Sequence, residues 1–164
     1  SFYSMARMTH DRSNIRPKIA LYEPDIPQNT ASIIRTCSCL GAYLEIIEPC
    51  GFLFSDKRFK RVVMDYLDVD KIKFYKSSEE FFESKKNDRV ILITTKSKKS
   101  YTDFNYRAND TILFGRESAG VPEHIHKLVN ERLKIPMIKN KRSLNISTSV
   151  AIVLAENLRQ INKI

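Results

Sequence analysis

The sequence predicts an α/β domain: a mostly parallel sheet with helices on both faces. Short apolar runs of strand length alternate with stretches whose apolar residues recur at helical spacing. The connections between them are short, and no internal repeat or low-complexity linker breaks the alternation. With 164 residues, 42% of them hydrophobic, the chain can fill one core and is short for two.

Lys18–Glu23 ("KIALYE") reads as the first strand. Pro24–Pro27 turns the chain into a helix that runs to about Leu40, with Ile33, Ile34, Cys37 and Leu40 on one face and Gly41 as its stop. Tyr43–Glu48 is the second strand. Asp56–Asp68 is helical, because Phe59, Val62, Val63 and Tyr66 form an i, i+3, i+4, i+7 stripe. A strand over Ile72–Tyr75, a helix over Ser77–Lys86 and a strand over Arg89–Thr94 follow. Thr111–Gly115 and Arg132–Met137 are two more strands, with a helix opening at Pro122 between them. The last helix, from Ile146 to about Ile161, carries a wider apolar arc than a one-sided surface helix needs. That arc suits either a central core helix or one shared with a partner subunit.

Ser1–Pro17 is polar and lacks an apolar signal core. Its Arg7, Arg12 and Arg16 against the single Asp11 resemble a transit peptide faintly; Met5 and Met8 as alternative starts point instead to an extension or a remnant. The expected domain is therefore 18–164. No apolar run approaches the roughly 20 residues of a membrane span. Cys37, Cys39 and Cys50 make no C-x-x-C pair, so reduced thiols in a cytoplasmic protein are expected rather than disulfides or a zinc site. His10, His124 and His126 add no convincing metal set, and His124-x-His126 reads as a solvated pair. A net charge of +9 favours a polyanionic partner.

In an open α/β sheet, ligands collect beyond the carboxyl ends of the strands. Three loops there are rich in chemistry: Thr94–Ser100 ("TTKSKKS"), Gly115–Val121 and Met137–Ser147 ("MIKNKRSLNIS"). Gly115-x-x-x-x-Gly120 has P-loop spacing, but Val121 and Pro122 stand where Lys and Ser or Thr are required. A nucleophile elbow fails because Arg116 occupies the position of its first glycine, and no G-x-G-x-x-G or HExxH is present. Asn29 and Arg35, six residues apart, can point toward one end of the first helix. Alone, Asn29 reads as a cap, Arg35 as a surface cation, and Ser143 and Asn145 as caps of the last helix. Lys57, Arg58, Lys60 and Arg61 form either a solvated helical face or, with Lys96, Lys98, Lys99, Lys139, Lys141 and Arg142, an RNA track.

In colinear order, "YEPDIPQNTASIIRTCSCLGAYLEIIEPCGF", "DKRFKRVVMDY", "TTK", "LFGRESAGVP" and "IPMIKNKRSLNISTSVAIVLAENLRQ" resemble the small SPOUT-superfamily RNA ribose methyltransferases. Within them, the resemblance is strongest to the TrmL-type tRNA 2′-O-methyltransferases, and it runs from about Ile19 to Gln160. It implies a carboxy-terminal trefoil knot, a homodimer, S-adenosylmethionine as donor, and methyl transfer to the ribose of a cytidine or uridine at the tRNA wobble position. It assigns the donor to Ile93, Gly115, Ile135, Met137, Ser143 and Leu144, and the catalytic positions to Asn29, Arg35, Glu117 and Asn145. Lys57, Arg58, Lys60, Arg61 and Arg142 would hold RNA. The glycine turn becomes a wall of the donor pocket, where glycine allows close backbone approach to an adenosine. Departures from the family pattern fall at Ala31, Ser32, Arg116, Ala119 and Thr148. A knotted RNA-binding protein without turnover, or a methyltransferase of ribosomal RNA, are the alternatives.

Overall fold

The computed structural model describes residues 16–63, 72–141 and 143–161, with the backbone alone for Arg58, Val62 and Val63. Six strands form one sheet: β1 (Lys18–Tyr22), β2 (Tyr43–Ile47), β3 (Ile72–Tyr75), β4 (Val90–Ile93), β5 (Thr111–Phe114) and β6 (Glu131–Leu133). Their order is β3-β2-β1-β5-β4-β6, and every neighbouring pair is parallel. Five helices connect them: α1 (Pro27–Leu40), α2 (Lys57–Val63), α3 (Ser78–Ser84), α4 (Glu123–Leu128) and α5 (Ile146–Gln160).

Strand periodicity sorts the side chains into two cores. Ile19, Leu21, Leu44, Ile46, Ile91, Ile112 and Phe114 face α1, α2 and α5, meeting Ile33, Ile34, Phe59, Val150 and Leu154. Ala20, Tyr22, Val90, Leu92 and Leu113 face α3 and α4, meeting Phe81 and Ile125. The expected sheet and two helical layers are therefore present. Central strands buried on both faces read as continuous apolar runs, which is why they are conspicuous in the sequence.

Local chemistry sets the helix ends. Pro27 starts α1, and Gly41 ends it in the left-handed region at φ 77°, returning its N–H to the Cys37 carbonyl. The Ser77 hydroxyl caps α3 at the Glu80 N–H, 3.1 Å away. Asn145 caps α5, its Oδ1 accepting from the Ser147 N–H at 2.9 Å. The fully buried side of α5 carries Val150, Val153, Leu154 and Leu158, whereas Ala151, Ile152 and Ala155 are only half-buried.

One expected strand is corrected. Arg132–Met137 contributes only its first residues to β6, which starts at Glu131 and stops at Leu133. Lys134 bridges Ser100 instead, donating its N–H to the Lys99 carbonyl at 2.8 Å. Pro136 has no N–H to extend a ladder, and Ile135 and Met137 turn into a cavity. The predicted helix over Asp56–Asp68 is present as Lys57–Val63; Tyr66 and the rest of that prediction lie outside the described residues, as do 1–15 and Arg142.

Candidate functional site

The strand order reverses between β1 and β5, since β1 leads outward to β2 on one side and β5 borders β4 on the other. The crevice beyond the carboxyl ends of such strands is where open α/β sheets bind ligands. Here it holds a cavity of about 530 Å³, within the range of small-molecule sites.

Its walls come from four segments and from His126 of α4. Ile26 and Asn29 open α1, and Leu92–Lys96 leave β4. Phe114–Val121 leave β5, and Ile135, Met137 and Ser143–Ile146 approach α5. All six donor candidates, Ile93, Gly115, Ile135, Met137, Ser143 and Leu144, line it, as do Asn29, Glu117 and Asn145.

The glycine turn closes on itself. Arg116 N–H donates to the Gly120 carbonyl at 2.9 Å, and Gly120 N–H returns to the Arg116 carbonyl at 2.9 Å. A Cβ at Gly115 would lie 2.6 Å from the Gly120 carbonyl carbon, and Gly120 itself has φ 65°. Glycine at 115 is thus demanded by the turn's own backbone, and at 120 by the left-handed conformation. The sequence had suggested close approach to a ligand; the structure supplies a nearer cause.

Asn29 and Asn145 meet across 116 residues of sequence: Asn145 Nδ2 donates to Asn29 Oδ1 at 3.0 Å. Asn145 therefore caps α5 and ties it to α1 at once. Asn29 is no helix cap, because Ile26 holds that position and makes no side-chain capping bond. Arg35 lies on the same helix but is exposed and off the cavity lining. Six residues advance a helix by about 600°, which rotates Arg35 well away from Asn29.

Charge is concentrated beside the turn. Glu117 Oε2 accepts from the Asp25 N–H at 3.2 Å. Asp25 Oδ2 accepts from the Ser118 hydroxyl at 2.7 Å and lies 3.5 Å from Arg116 Nη2. Burial first, then the neighbouring Asp25 carboxyl, raises the Glu117 carboxyl above its ordinary 4.5, against the pull of the Asp25 N–H; the Glu117 carboxyl is in turn the main cause holding Asp25 below its ordinary value. Asp25 escaped the sequence reading. Its only signal is an acid between two prolines, and its partners lie 92 and 93 residues away.

The opposite wall holds a second correction. His126 is only half-exposed: it lines the cavity, with Nε2 3.3 Å from Thr94 Oγ1 and Nδ1 accepting from Arg132 Nε at 3.2 Å. The Arg132 guanidinium also clasps the His126 carbonyl. His124, in contrast, is exposed. Of the basic candidates, Lys57, Lys60 and Arg61 are exposed on α2; the Arg58 side chain and Arg142 lie outside the described residues. Among the described residues no group of three His, Cys, Asp or Glu side chains could hold a metal, and no helix is long and apolar enough to cross a membrane.

A protein-family model described as the SpoU rRNA Methylase family matches residues 16–155. A tRNA (cytidine(34)-2′-O)-methyltransferase of Beijerinckia indica is 46% identical over 145 residues, covering 87% of this chain and 91% of the relative. A solved structure described as giving insight into 2′-OH methylation of C/U34 on tRNA superposes with TM-score 0.84 at 34% identity, covering 90% of this chain and 97% of that one. An AdoMet-bound rRNA methyltransferase of Sinorhizobium meliloti shares the fold, with TM-score 0.80 at 22% identity over 89% of this chain and 57% of that one.

Proposed function

The chain belongs to the SpoU rRNA Methylase family, and from that premise we propose that it methylates the ribose 2′-hydroxyl of cytidine or uridine at tRNA position 34, as its relatives' names describe. The observation that carries this reading is the convergence of Asn29, Gly115, Glu117, Ser143 and Asn145 on one cavity at the switch point of the sheet.

The donor would be S-adenosylmethionine, which supplies an activated sulfonium methyl. The cavity suits it. Its volume fits a nucleoside-sized ligand, and Ile93, Ile135, Met137 and Leu144 offer apolar surface for an adenine beside the hydroxyl of Ser143. When bound, the donor would supply a methyl to the ribose oxygen and be left as a neutral thioether, with the hydroxyl proton passing to solvent water. With the electrophile already activated, the chain's task is alignment and control of charge. The Asn29–Asn145 bond fixes the relative position of α1 and α5 at the cavity mouth, and Glu117 sets the polarity of the wall.

Arg35 acts outside the donor cavity, orienting the ribose or phosphate and stabilising developing negative charge; free arginine is a poor base, with a pKa above about 12. Lys57, Arg58, Lys60, Arg61 and Arg142 guide the tRNA backbone. The working form is a cytoplasmic homodimer with a carboxy-terminal trefoil knot. Exposed Ile26, Met137 and Leu144 on the cavity lining, with exposed Ile138 next in sequence and the half-buried outer positions of α5, support a subunit contact there.

The test is incubation of purified protein, as a dimer verified by light scattering, with methyl-labelled S-adenosylmethionine and unmodified tRNA, followed by ribose-methylation mapping. Label at the wobble 2′-oxygen is expected. No label on tRNA, or label appearing only when unmodified ribosomal RNA replaces it in a parallel incubation, would contradict the assignment.

A further inference from the structure

The cluster beside the glycine turn has two acids and one base, and its hydrogen bonds do not close. Asp25 Oδ1, Glu117 Oε1 and Arg116 Nε are buried without a hydrogen-bond partner. Such atoms are rare in folded proteins, and each calls for a physical cause. The two acids are held together by the Asp25 N–H on Glu117 Oε2 at 3.2 Å, and each leaves one carboxyl oxygen buried without a donor; two carboxylates offer acceptors only. One proton held between them supplies the missing donor. Carboxyl pairs in contact behave in this way because both cannot be charged at once.

Asp25 is also fixed from behind. A Cβ at Gly51 would lie 2.9 Å from both Cα and Cβ of Asp25, so the loop after β2 packs directly on its backbone. Gly51 N–H donates to the Pro24 carbonyl at 2.9 Å. The preceding Glu23 sits at φ 42°, a conformation uncommon for a non-glycine residue. The loop after β1 is thus held in one shape, and from it Asp25 reaches across the switch point to three consecutive residues of the turn: Arg116, Glu117 and Ser118.

We infer that Asp25 is a positioning residue for methyl transfer: it shares a proton with Glu117 and, braced by Gly51, fixes the Glu117 carboxyl in the cavity wall. This rests on the methyl-transfer reading above. The charged and titratable groups around the pair are few. Arg116 pairs with Asp25 and also bears on Tyr22, at the end of β1. Glu23 raises Tyr22, which burial pushes up to about 12, and Glu23 and Glu48 both bear on Cys50 behind the loop. Arg116 is the cation in contact, and it neutralises one of the two acids. The other is left to hold the proton.

The test uses Asp25→Asn, which keeps the side chain's shape, and Asp25→Ala, in the full chain. The carboxyl carbons, labelled with carbon-13, are followed by NMR through a pH titration. In the native protein Glu117 is expected to titrate above the ordinary 4.5. In Asp25→Asn it should move down, while burial keeps it from returning fully. Single-turnover methyl transfer at saturating tRNA and donor should fall about 10- to 100-fold in Asp25→Ala, the scale of a displaced reacting group. In Asp25→Asn the fall should be smaller, the KM for tRNA unchanged, and the limb of the kcat–pH profile that follows Glu117 shifted to lower pH. A loss of fold alone would not move that limb. An unchanged Glu117 titration in Asp25→Asn, or an unmoved pH limb, would overturn the inference. A native protein that methylates no RNA would instead remove the functional reading, with the carboxyl titration still deciding whether the proton is shared.

Discussion

Among the described residues, two of the charge clusters are built on opposite plans. Behind the sheet, Lys85 Nζ lies 2.8 Å from Glu45 Oε1 and donates to Oε2 at 3.1 Å, both side chains almost fully buried. One acid meets one base, and the Phe81 ring lies 5.6 Å from the ammonium. At the switch point, two acids meet one base, and three polar atoms stay unpartnered. In the balanced pair the attraction works against the cost of desolvating both ions, and Glu45 Oε1 is left with the ion-pair contact alone. An unbalanced cluster on a cavity wall leaves electrostatic demand unmet, which is the usual condition of a working site.

The largest effect is expected at the balanced pair. Lys85→Met strands the Glu45 carboxylate in an apolar layer and should cost about 3–5 kcal/mol in denaturant unfolding. Replacing both partners with apolar residues should recover most of that loss. If Lys85→Met costs nothing, the pair is not the closed unit described, and the contrast with the switch point collapses.

Next in size is the separation of chemistry from RNA holding. Arg35→Ala should slow single-turnover methylation by about 10²-fold at saturating RNA, with donor affinity little changed. Lys60→Ala with Arg61→Ala should leave saturated turnover near native and lower the salt slope of tRNA binding by about one unit per charge. Filter binding across a salt series separates the two. Normal turnover by Arg35→Ala at saturation would make Arg35 a binding residue only.

These regions were unequally legible in the sequence. Apart from the last strand and the end of the Asp56–Asp68 helix, the strands and helices lie within a residue or two of their expected bounds, because central strands are apolar on both faces and α1, α3 and α5 carry clear starts or stops, such as Pro27, Ser77 and Asn145. The last strand was misjudged because Ile135 and Met137 are apolar for the sake of the cavity, and an apolar residue does not announce which surface it lines. The half-burial of His126 is not legible in the sequence because its contacts come from Thr94, just past β4, and from Arg132 on β6. The family resemblance located the cavity residues. Asp25 is legible only in the fold, since its side-chain partners lie more than 90 residues away.

The pH dependence of stability follows from the same cluster. Asp25 is lowered, so its contribution is present above its ordinary carboxylate value and lost as pH falls through the lowered one. Glu117 is raised, so its contribution is complete below 4.5 and is lost as pH rises from there through the raised value. Above the ordinary carboxylate range the folded state binds more protons at Glu117 than the unfolded chain does, and the protein should weaken as pH increases.

The most direct measurement is therefore Glu117→Gln, followed by denaturant unfolding at several pH values and by single-turnover methyl transfer to tRNA. Glutamine donates to Asp25 without needing a proton. Stability at neutral pH should hold or rise, its decline from pH 4.5 upward should flatten, and methyl transfer should fall by at least about tenfold. A Glu117→Gln protein that loses stability at neutral pH yet methylates at the native rate would show that this cluster serves the fold and not the reaction.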